Sequence, residues 1–188
     1  MIYLYDEKDY EKAVALKNKL LLIYFAAFGV CFSLCALFFI LFLLMPYASS
    51  PELVSRKDLY MFLDCAISVL FAAFSFVYLC IPYRRAKYYL KMLNDIKYGE
   101  KVRDEGTFLQ NYLNVSVTRH VDFYAMATLE WSERSQEYVR RNVFVDKEKE
   151  MPNLKNGDMI VYYTHANVLV SYGLKDEEVF SGFEGKEE

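Results

Sequence analysis

Asp64 is the residue of this sequence whose position most directly suggests chemistry. It lies inside the second of two long apolar stretches, about two helical turns from the start of that stretch. A carboxylate at mid-bilayer costs about 2.5–3.5 kcal/mol, so an acid inside a membrane span is a candidate functional group. The alternative places Asp64 at headgroup depth, hydrated and without a special role. The first interpretation predicts a pore or transport path, and the second predicts a simple anchor.

The basic pair Arg140 and Arg141 is the second candidate, because it lies beside Tyr138 and Phe144. Surfaces that bind single-stranded nucleic acid combine basic residues with stacking aromatic rings. However, the chain from Arg84 onward carries 16 Lys/Arg against 18 Asp/Glu. This negative balance argues against a nucleic-acid partner. The pair is therefore predicted to belong to a protein-binding surface.

Residue patterns typical of enzymes, metal sites and cofactor sites are missing from the sequence. The seven glycines form no phosphate-binding loop, and no G-x-S-x-G motif occurs. Paired acids such as Asp104 and Glu105 stand among lysines, as in solvated loops, and His120 and His165 lack ligand spacing. All four cysteines lie in the apolar stretches, where cysteine acts as a small hydrophobe. We therefore expect no enzymatic activity, no metal and no cofactor.

Two membrane spans are predicted near the N-terminus, at about 20–45 and 59–81. The first contains 26 residues without a charge, longer than the roughly 20 that cross a bilayer. It is also too long for the apolar core of a signal peptide. Asp58 is a predicted N-cap of the second span, and Pro46 and Pro51 break the chain between the two. So short a connection predicts an antiparallel hairpin.

Small residues recur along one side of each predicted span. In lipid, helices associate through close backbone approach, so such stripes predict the contact between the two spans. The predicted packing residues are Ala26, Gly29, Ser33 and Ala36 in the first span, and Cys65, Ser68, Ala72 and Ser75 in the second.

The distribution of basic residues predicts the orientation. Four lysines precede the first span and five Lys/Arg follow the second, whereas the connecting loop has only Arg56 and Lys57. Because cytoplasmic flanks carry the excess of Lys/Arg, both termini are predicted to be cytoplasmic in a multi-pass protein of the plasma membrane.

The remaining chain divides into four predicted segments: an N-terminal cytoplasmic segment, 1–19; an amphipathic connector helix, 84–99; a soluble β domain, 107–173; and an acidic, disordered tail, 174–188. Alternation of apolar and polar residues predicts five short strands, at 113–118, 121–131, 138–145, 159–164 and 168–172. A fragment of about 99–173 is expected to fold alone. The predicted fold class is an α+β membrane protein, with a transmembrane hairpin and a five-stranded OB-like or SH3-like barrel.

The segment NLKNGDMIVYYTHANVLVSYG, 153–173, resembles the closing hairpin of the barrel in NfeD-like bacterial membrane proteins. The order of a membrane hairpin followed by a small cytoplasmic barrel is similar to their plan. The resemblance implies an accessory or scaffolding role and no catalytic residue.

These patterns together favour a membrane-anchored protein-binding or scaffolding module. The expected partners are membrane lipid and either another protein or further copies of the chain. The alternative is an oligomeric pore or transport subunit with Asp64 in the membrane path.

Overall fold

The computed structural model describes residues 1–45 and 51–175, with residues 51–53 described by their backbone alone. The helices are α1 (Glu7–Leu44), α2 (Pro51–Tyr78) and α3 (Arg84–Tyr98), and a π-helical turn, Leu79–Tyr83, joins α2 to α3. The strands are β1 (Ile2–Tyr3), β2 (Val102–Thr118), β3 (Val121–Ser132), β4 (Glu137–Asp146), β5 (Met159–His165) and β6 (Val168–Leu174). The chain forms two compact units. The helical unit is Val14–Lys87, and the barrel unit combines Met1–Ala13 with the chain from Tyr88 onward.

Two helical stretches are long and apolar enough to cross a membrane, within Glu7–Leu44 and Val54–Tyr98. The most apolar windows of both are wholly unburied, unlike the core helix of a soluble protein. The helices begin earlier than predicted. α2 starts at Pro51, whose fixed φ and missing N–H suit a first helical position, so Asp58 is inside the helix and is not its N-cap. The predicted break at Pro46 lies outside the described residues.

Aromatic rings make the contact between α1 and α2. The Tyr24 ring lies 6.0 Å from that of Phe71 and 6.1 Å from that of Tyr78, and Phe28 lies 5.7 Å from Phe71. Two hydroxyl groups add hydrogen bonds: Tyr24 donates to Ser75 Oγ at 3.4 Å, and Tyr78 donates to the Leu20 carbonyl at 2.9 Å. Large rings with a polar tip thus supply both the packing area and the polar contacts of the hairpin.

The small residues predicted to pack on α1 lie mostly away from the ring contacts with α2. Ala26, Gly29 and Ser33 are exposed, only Ala36 is half-buried, and a Cβ built at Gly29 would meet no atom within 4 Å. Of the small residues predicted on α2, Ser75 accepts a hydrogen bond from Tyr24 and Ser68 Oγ lies 3.7 Å from Cys35 Sγ. Cys65, Ser68 and Ala72 are exposed. Small residues favour contact only where backbones approach closely, and the aromatic rings hold these two apart.

We expect Phe71→Ala to loosen the hairpin and Gly29→Leu to leave it intact. Phe71 contacts two rings of α1, and truncating a packed aromatic side chain costs about 3–5 kcal/mol. Leucine at 29 meets only open space. Thermal unfolding of the two variants in the same mild detergent would measure the difference, and a lower melting temperature for Gly29→Leu than for Phe71→Ala would contradict the observed interface.

The π-helical turn at Leu79–Tyr83 contains Pro82, which lacks the N–H that an α-helix needs at that position. The widened turn accommodates the proline without ending the helix, so α2 continues into α3. α3 covers most of the segment predicted as an amphipathic connector helix, 84–99, and ends before Gly99. A Cβ at Gly99 would overlap the Asp95 carbonyl and the ring of His165, so glycine is required there.

The barrel has the strand order β2-β3-β4-β6-β5 and closes through pairing of β5 with β2. Every neighbouring pair is antiparallel except β4 with β6, which meet in parallel at Phe144 and Val168. This order with one parallel closing pair is that of an OB-type Greek-key barrel, and it excludes the all-antiparallel SH3 type. β1 pairs with β6 as a sixth strand. No strand was predicted at Ile2–Tyr3 from the sequence.

Two apolar clusters stabilise the barrel unit. The interior cluster comprises Phe108, Met126, Val143, Val145, Ile160, Tyr162 and Leu169. On the outer face, Ile96 of α3 packs with Val121, Phe123, Val168 and Val170. Along β3, therefore, Met126 points into the barrel interior, whereas Phe123 lies on the outer face, under α3.

The strand predictions hold for four of the five strands, but the first differs. β2 begins at Val102 and pairs with β5 only up to Thr107. Its far half is exposed, including Leu113, Val115 and Val117, so alternation there does not mark a buried face. Of the predicted acidic tail, only Leu174, the last residue of β6, and Lys175 lie among the described residues.

Candidate functional site

An exposed aromatic pair lies at the far end of the β3–β4 hairpin. Trp131 and Tyr138 are register partners, and their rings meet edge to face with centroids 5.1 Å apart. Trp131 is 50% exposed and Tyr138 is 65% exposed. The turn between the two strands, in which Gln136 takes a positive φ of 55°, brings the two residues opposite each other. Large rings this open to solvent are typical of a binding surface.

Arg140 and Tyr112 extend the aromatic pair across the sheet. Arg140 is the register partner of Leu129, and its guanidinium carbon lies 5.3 Å from the centroid of the Tyr112 ring. Such a cation–π contact holds the guanidinium over the ring. We name the surface formed by Tyr112, Trp131, Tyr138 and Arg140 the aromatic face.

Arg141, predicted to act with Arg140, has a different environment. Its Nη1 donates to Asp104 at 2.7 Å and to Glu130 at 3.3 Å, and its Nε donates to Asn167 at 3.1 Å. Partial burial lowers the pKa of Arg141, but the hydrogen bond to Asp104 and the charge of Glu130 outweigh it, so the net pKa is raised. Arg140 is thus exposed while Arg141 is tied into the barrel, because neighbours along a strand point to opposite faces.

Behind Arg141 lies a polar group inside the barrel. Tyr162 is fully buried, and its hydroxyl donates to Glu130. Thr128, also fully buried, lies 3.2 Å from the Tyr162 hydroxyl and donates to Glu130 at 2.8 Å. Glu130 therefore receives hydrogen bonds from both buried hydroxyls as well as from Arg141. Since each of these polar groups has a partner, we assign the arrangement to stability rather than to catalysis.

A second polar cluster joins the N-terminal segment and α3 to the end of β4. Asp146 is only 2% exposed, and it accepts hydrogen bonds from the Tyr89 hydroxyl at 2.8 Å and from the Glu148 N–H at 3.0 Å. Lys149 bonds Asp9, at the start of α1. Burial raises the pKa of Asp146 despite these donors. The cluster therefore attaches the start of the chain to the barrel.

A cleft of about 280 Å³ lies between the N-terminal segment and α3. Its lining includes Tyr3, Tyr10 and the Lys97 side chain, whose ammonium donates to Glu7 at 3.0 Å and lies 5.1 Å from the Tyr10 ring centroid. The acids in the lining are balanced by lysines, so the cleft favours no ligand charge.

Asp64 lies on the side of α2 that meets α1. The Phe38–Tyr60 ring contact and the Ser68–Cys35 contact lie one turn before and one turn after it. Its Oδ1 is buried and has no hydrogen-bond partner among the described residues. Asp64 therefore belongs to the contact between the helices rather than to their outer surface.

The structure thus separates the sequence-predicted residues into three places: Arg140 on the aromatic face, Arg141 in the barrel network, and Asp64 in the helical unit. Trp131 was not predicted from the sequence to be part of a surface. One signal could have found it: Trp131 and Tyr138 flank a polar segment, Ser132–Glu137, of hairpin-turn length. Among the described residues, no group of three His, Cys, Asp or Glu could hold a metal ion.

Comparisons with known proteins complete the description. The sequence matches no protein-family model, no curated protein and no solved structure.

Proposed function

We propose that this protein is a membrane-anchored protein-binding module whose aromatic face binds its partner. The observation that carries the proposal is the open Trp131–Tyr138 pair beside Arg140 on one sheet. Tryptophan, tyrosine and arginine are the residue types that dominate binding energy at protein interfaces. In OB folds, the face formed by the second and third strands binds ligands, and β3 and β4 are those strands here.

The two apolar helices support the anchoring part of the proposal. Each contains more than the roughly 20 apolar residues that cross a hydrocarbon core. Their outer surfaces carry exposed Phe, Leu and Val side chains, such as Phe32, Val69 and Phe76, which a bilayer would cover. A water-exposed surface of this kind would promote aggregation in a soluble protein.

Contacts inside the barrel unit support the view that both ends of the helical hairpin lie on the same side of the membrane. Leu4 N–H donates to the Val170 carbonyl at 3.0 Å, next to the β1–β6 pairing, and Asp9 bonds Lys149. The start of the chain and the barrel must therefore lie on one side of any membrane that the helices cross. The excess of basic residues at both flanks of the spans supports a cytoplasmic location for that side.

Single-cysteine labelling tests this topology. In a background without the four native cysteines, Ser55→Cys is expected to react with an impermeant maleimide on intact cells, since Ser55 is exposed on the loop side of α2. Glu150→Cys, exposed beyond β4, is expected to react only after permeabilisation. Reaction of residue 150 on intact cells would reverse the orientation.

Binding through the aromatic face is tested by truncating it. Trp131→Ala and Tyr138→Ala are each expected to weaken partner binding by about 30-fold or more, because an interface hot spot is worth about 2 kcal/mol or more. The partner is first identified by quantitative co-purification from mild detergent with mass spectrometry. Binding is then measured by titration of that partner, and a second copy of this chain counts as a partner. Tyr98→Ala is the matched control, since Tyr98 is 74% exposed at the end of α3. Equal loss in the control would contradict a specific face.

The pore or transport alternative rests on the buried, partnerless Oδ1 of Asp64. If Asp64 lines an ion path, purified protein in vesicles conducts ions and Asp64→Asn abolishes the flux. The anchoring function instead requires that Asp64→Asn leave partner binding unchanged. We favour the anchor because the other interface groups near Asp64, such as the Cys35 thiol and the Ser68 hydroxyl, are uncharged, and aromatic rings fill the rest of the helix contact.

The resemblance to NfeD-like proteins supports the same class of function. The observed plan of two apolar helices and a closed five-stranded barrel is compatible with theirs. On that comparison, the barrel would recruit or support a partner at the membrane surface, and no catalytic step is assigned to this chain.

A further inference from the structure

The first half of β4 forms an open edge of the barrel sheet. β4 pairs with β3 along its whole length. On its other side, β4 meets β6 only at Phe144, and the Asn167 side chain donates to the Asn142 carbonyl at 2.9 Å. Among the described residues, no strand pairs with this side of β4 from Glu137 to Arg141. We name this segment, 137–141, the open edge.

The open edge is regular in its backbone and exposed in its side chains. Its register with β3 continues without a bulge, and β4 contains neither proline nor glycine. Residues 137–140 are all exposed. Natural edge strands are usually protected from pairing with another chain by bulges, prolines or a covering element. Charged side chains also prevent pairing, so the arrangement of Glu137, Arg140 and Arg141 decides which strand the open edge accepts.

The sequence of the open edge is complementary to itself in the reversed direction. In a symmetric antiparallel pair of two copies, one residue of the edge faces itself across the two-fold axis. With Val139 at the axis, Tyr138 faces Arg140 of the second copy, and Glu137 faces Arg141 of the second copy. Facing side chains have Cβ atoms about 4.5–5.5 Å apart, and opposite-charge pairs at this distance stabilise a sheet. Each copy therefore supplies a ring and a carboxylate to the two arginines of the other.

The neighbouring symmetric registers lack this complementarity. With Arg140 at the axis, two guanidinium groups face each other, and like charges directly opposite destabilise a sheet. With Tyr138 at the axis, Glu137 faces Val139 and meets no opposite charge. A shift by a single residue would direct facing side chains to opposite sides of the sheet. The pattern of charges and rings thus selects the register centred on Val139.

We infer that two copies of this protein associate through antiparallel pairing of their open edges, with Val139 at the two-fold axis. The two barrels then share a continuous sheet, and the Trp131–Tyr138 pair of each copy lies beside the junction, because Tyr138 belongs to the open edge. The inference rests on the proposed function and deepens it, since it names a second copy of this chain as the partner that the aromatic face binds.

Thiol cross-linking of the full chain in mild detergent tests the pairing. Val139→Cys, in the background without the four native cysteines, is oxidised with copper phenanthroline. Facing residues of an antiparallel pair lie within the reach of a disulfide, so a covalent dimer is expected. A short bismaleimide, applied in parallel, links facing thiols whose geometry does not suit a disulfide. Leu113→Cys is the matched control for random collisions, because Leu113 is 69% exposed on β2. Residue 139 is expected to cross-link several-fold faster than residue 113.

A charge reversal tests the register. Glu137→Lys, added to Val139→Cys, converts both symmetry-related pairs with Arg141 into like-charge pairs, and it is expected to slow cross-linking several-fold. Glu133→Lys makes the same change in net charge in the turn between β3 and β4, where Glu133 is exposed and faces no residue of the second copy. Equal cross-linking of these two variants would overturn the register centred on Val139.

The outcomes separate this inference from the proposed function. Cross-linking at residue 139 that is no faster than at residue 113 would overturn the inference. Loss of binding in Trp131→Ala would then assign the aromatic face to a different protein and leave the proposed function intact. A bismaleimide product that joins residue 139 to another protein in cells, in place of the dimer, would also overturn the inference. Cross-linking at residue 139 together with unchanged binding in Trp131→Ala would support the strand pairing and refute the aromatic face.

Discussion

A fragment that starts at Gly99 and ends at Lys175 is expected not to fold cooperatively, whereas one that starts at Arg84 is expected to do so. The longer fragment retains α3, whose Ile96 and Leu93 are each only 4% exposed. Without α3, the outer cluster around Phe123 and Val170 meets water. Each such side chain contributes about 1.5–3 kcal/mol when buried. The burial of four such side chains therefore contributes a free energy comparable to much of the 5–15 kcal/mol that stabilises a typical domain.

Circular dichroism and thermal unfolding of the two fragments measure this directly. A point variant separates loss of packing from loss of chain length: Ile96→Asp in the longer fragment should lower the melting temperature strongly, and Asn94→Asp, exposed on the same helix, should not. A cooperative melt of the shorter fragment at the same temperature as the longer one would show that α3 is dispensable, as the sequence analysis expected.

Arg141→Ala is expected to destabilise the barrel by about 1–3 kcal/mol. This is less than the about 3–5 kcal/mol that removing one partner from a fully buried ion pair costs, because solvent screens a partly exposed group. The Arg141 side chain is 32% exposed, and its carboxylate partners Asp104 and Glu130 are 22% and 18% exposed. Without the guanidinium, two close carboxylates would face each other beside the buried Tyr162. Denaturant unfolding of the Arg84–Lys175 fragment measures the effect.

Arg140→Ala is the matched control for Arg141→Ala, because the two residues are adjacent and differ mainly in their surroundings. Arg140 is exposed and lies over the Tyr112 ring of the aromatic face, so its loss should cost less than about 1 kcal/mol. Partner binding should respond in the opposite order, with Arg140→Ala the more harmful. Equal stability of the two variants would contradict the internal role of Arg141.

The contrast between Arg140 and Arg141 shows what local sequence does not contain. A basic pair beside aromatic residues indicates a surface, but strand alternation directs one residue outward and the other inward. Which of the two is internal depends on the carboxylates that face it, and these come from Asp104 on β2 and Glu130 on β3. The exposure of Ala26, Gly29 and Ser33 on α1 has the same origin, since the rotation of each helix is set by the rings it meets.

By itself, the sequence determined those features that depend on residues close together in the chain. Long uncharged stretches specify two apolar helices, and alternation with turn residues specifies four of the barrel strands, including the β5–β6 hairpin at Ala166–Asn167. Hydrophobic periodicity and turn chemistry act over a few residues, so they can be recognised without a fold.

Only the tertiary structure decided the parallel pairing of β4 with β6, the addition of β1 to β6, and the covering of the barrel by α3. It also decided which aromatic side chains stay open to solvent. These features join segments up to 170 residues apart in the chain, as in the contact of Ser171 with Met1. Their free energy comes from packing and hydrogen bonds that exist only when the whole barrel has closed, so no local pattern encodes them.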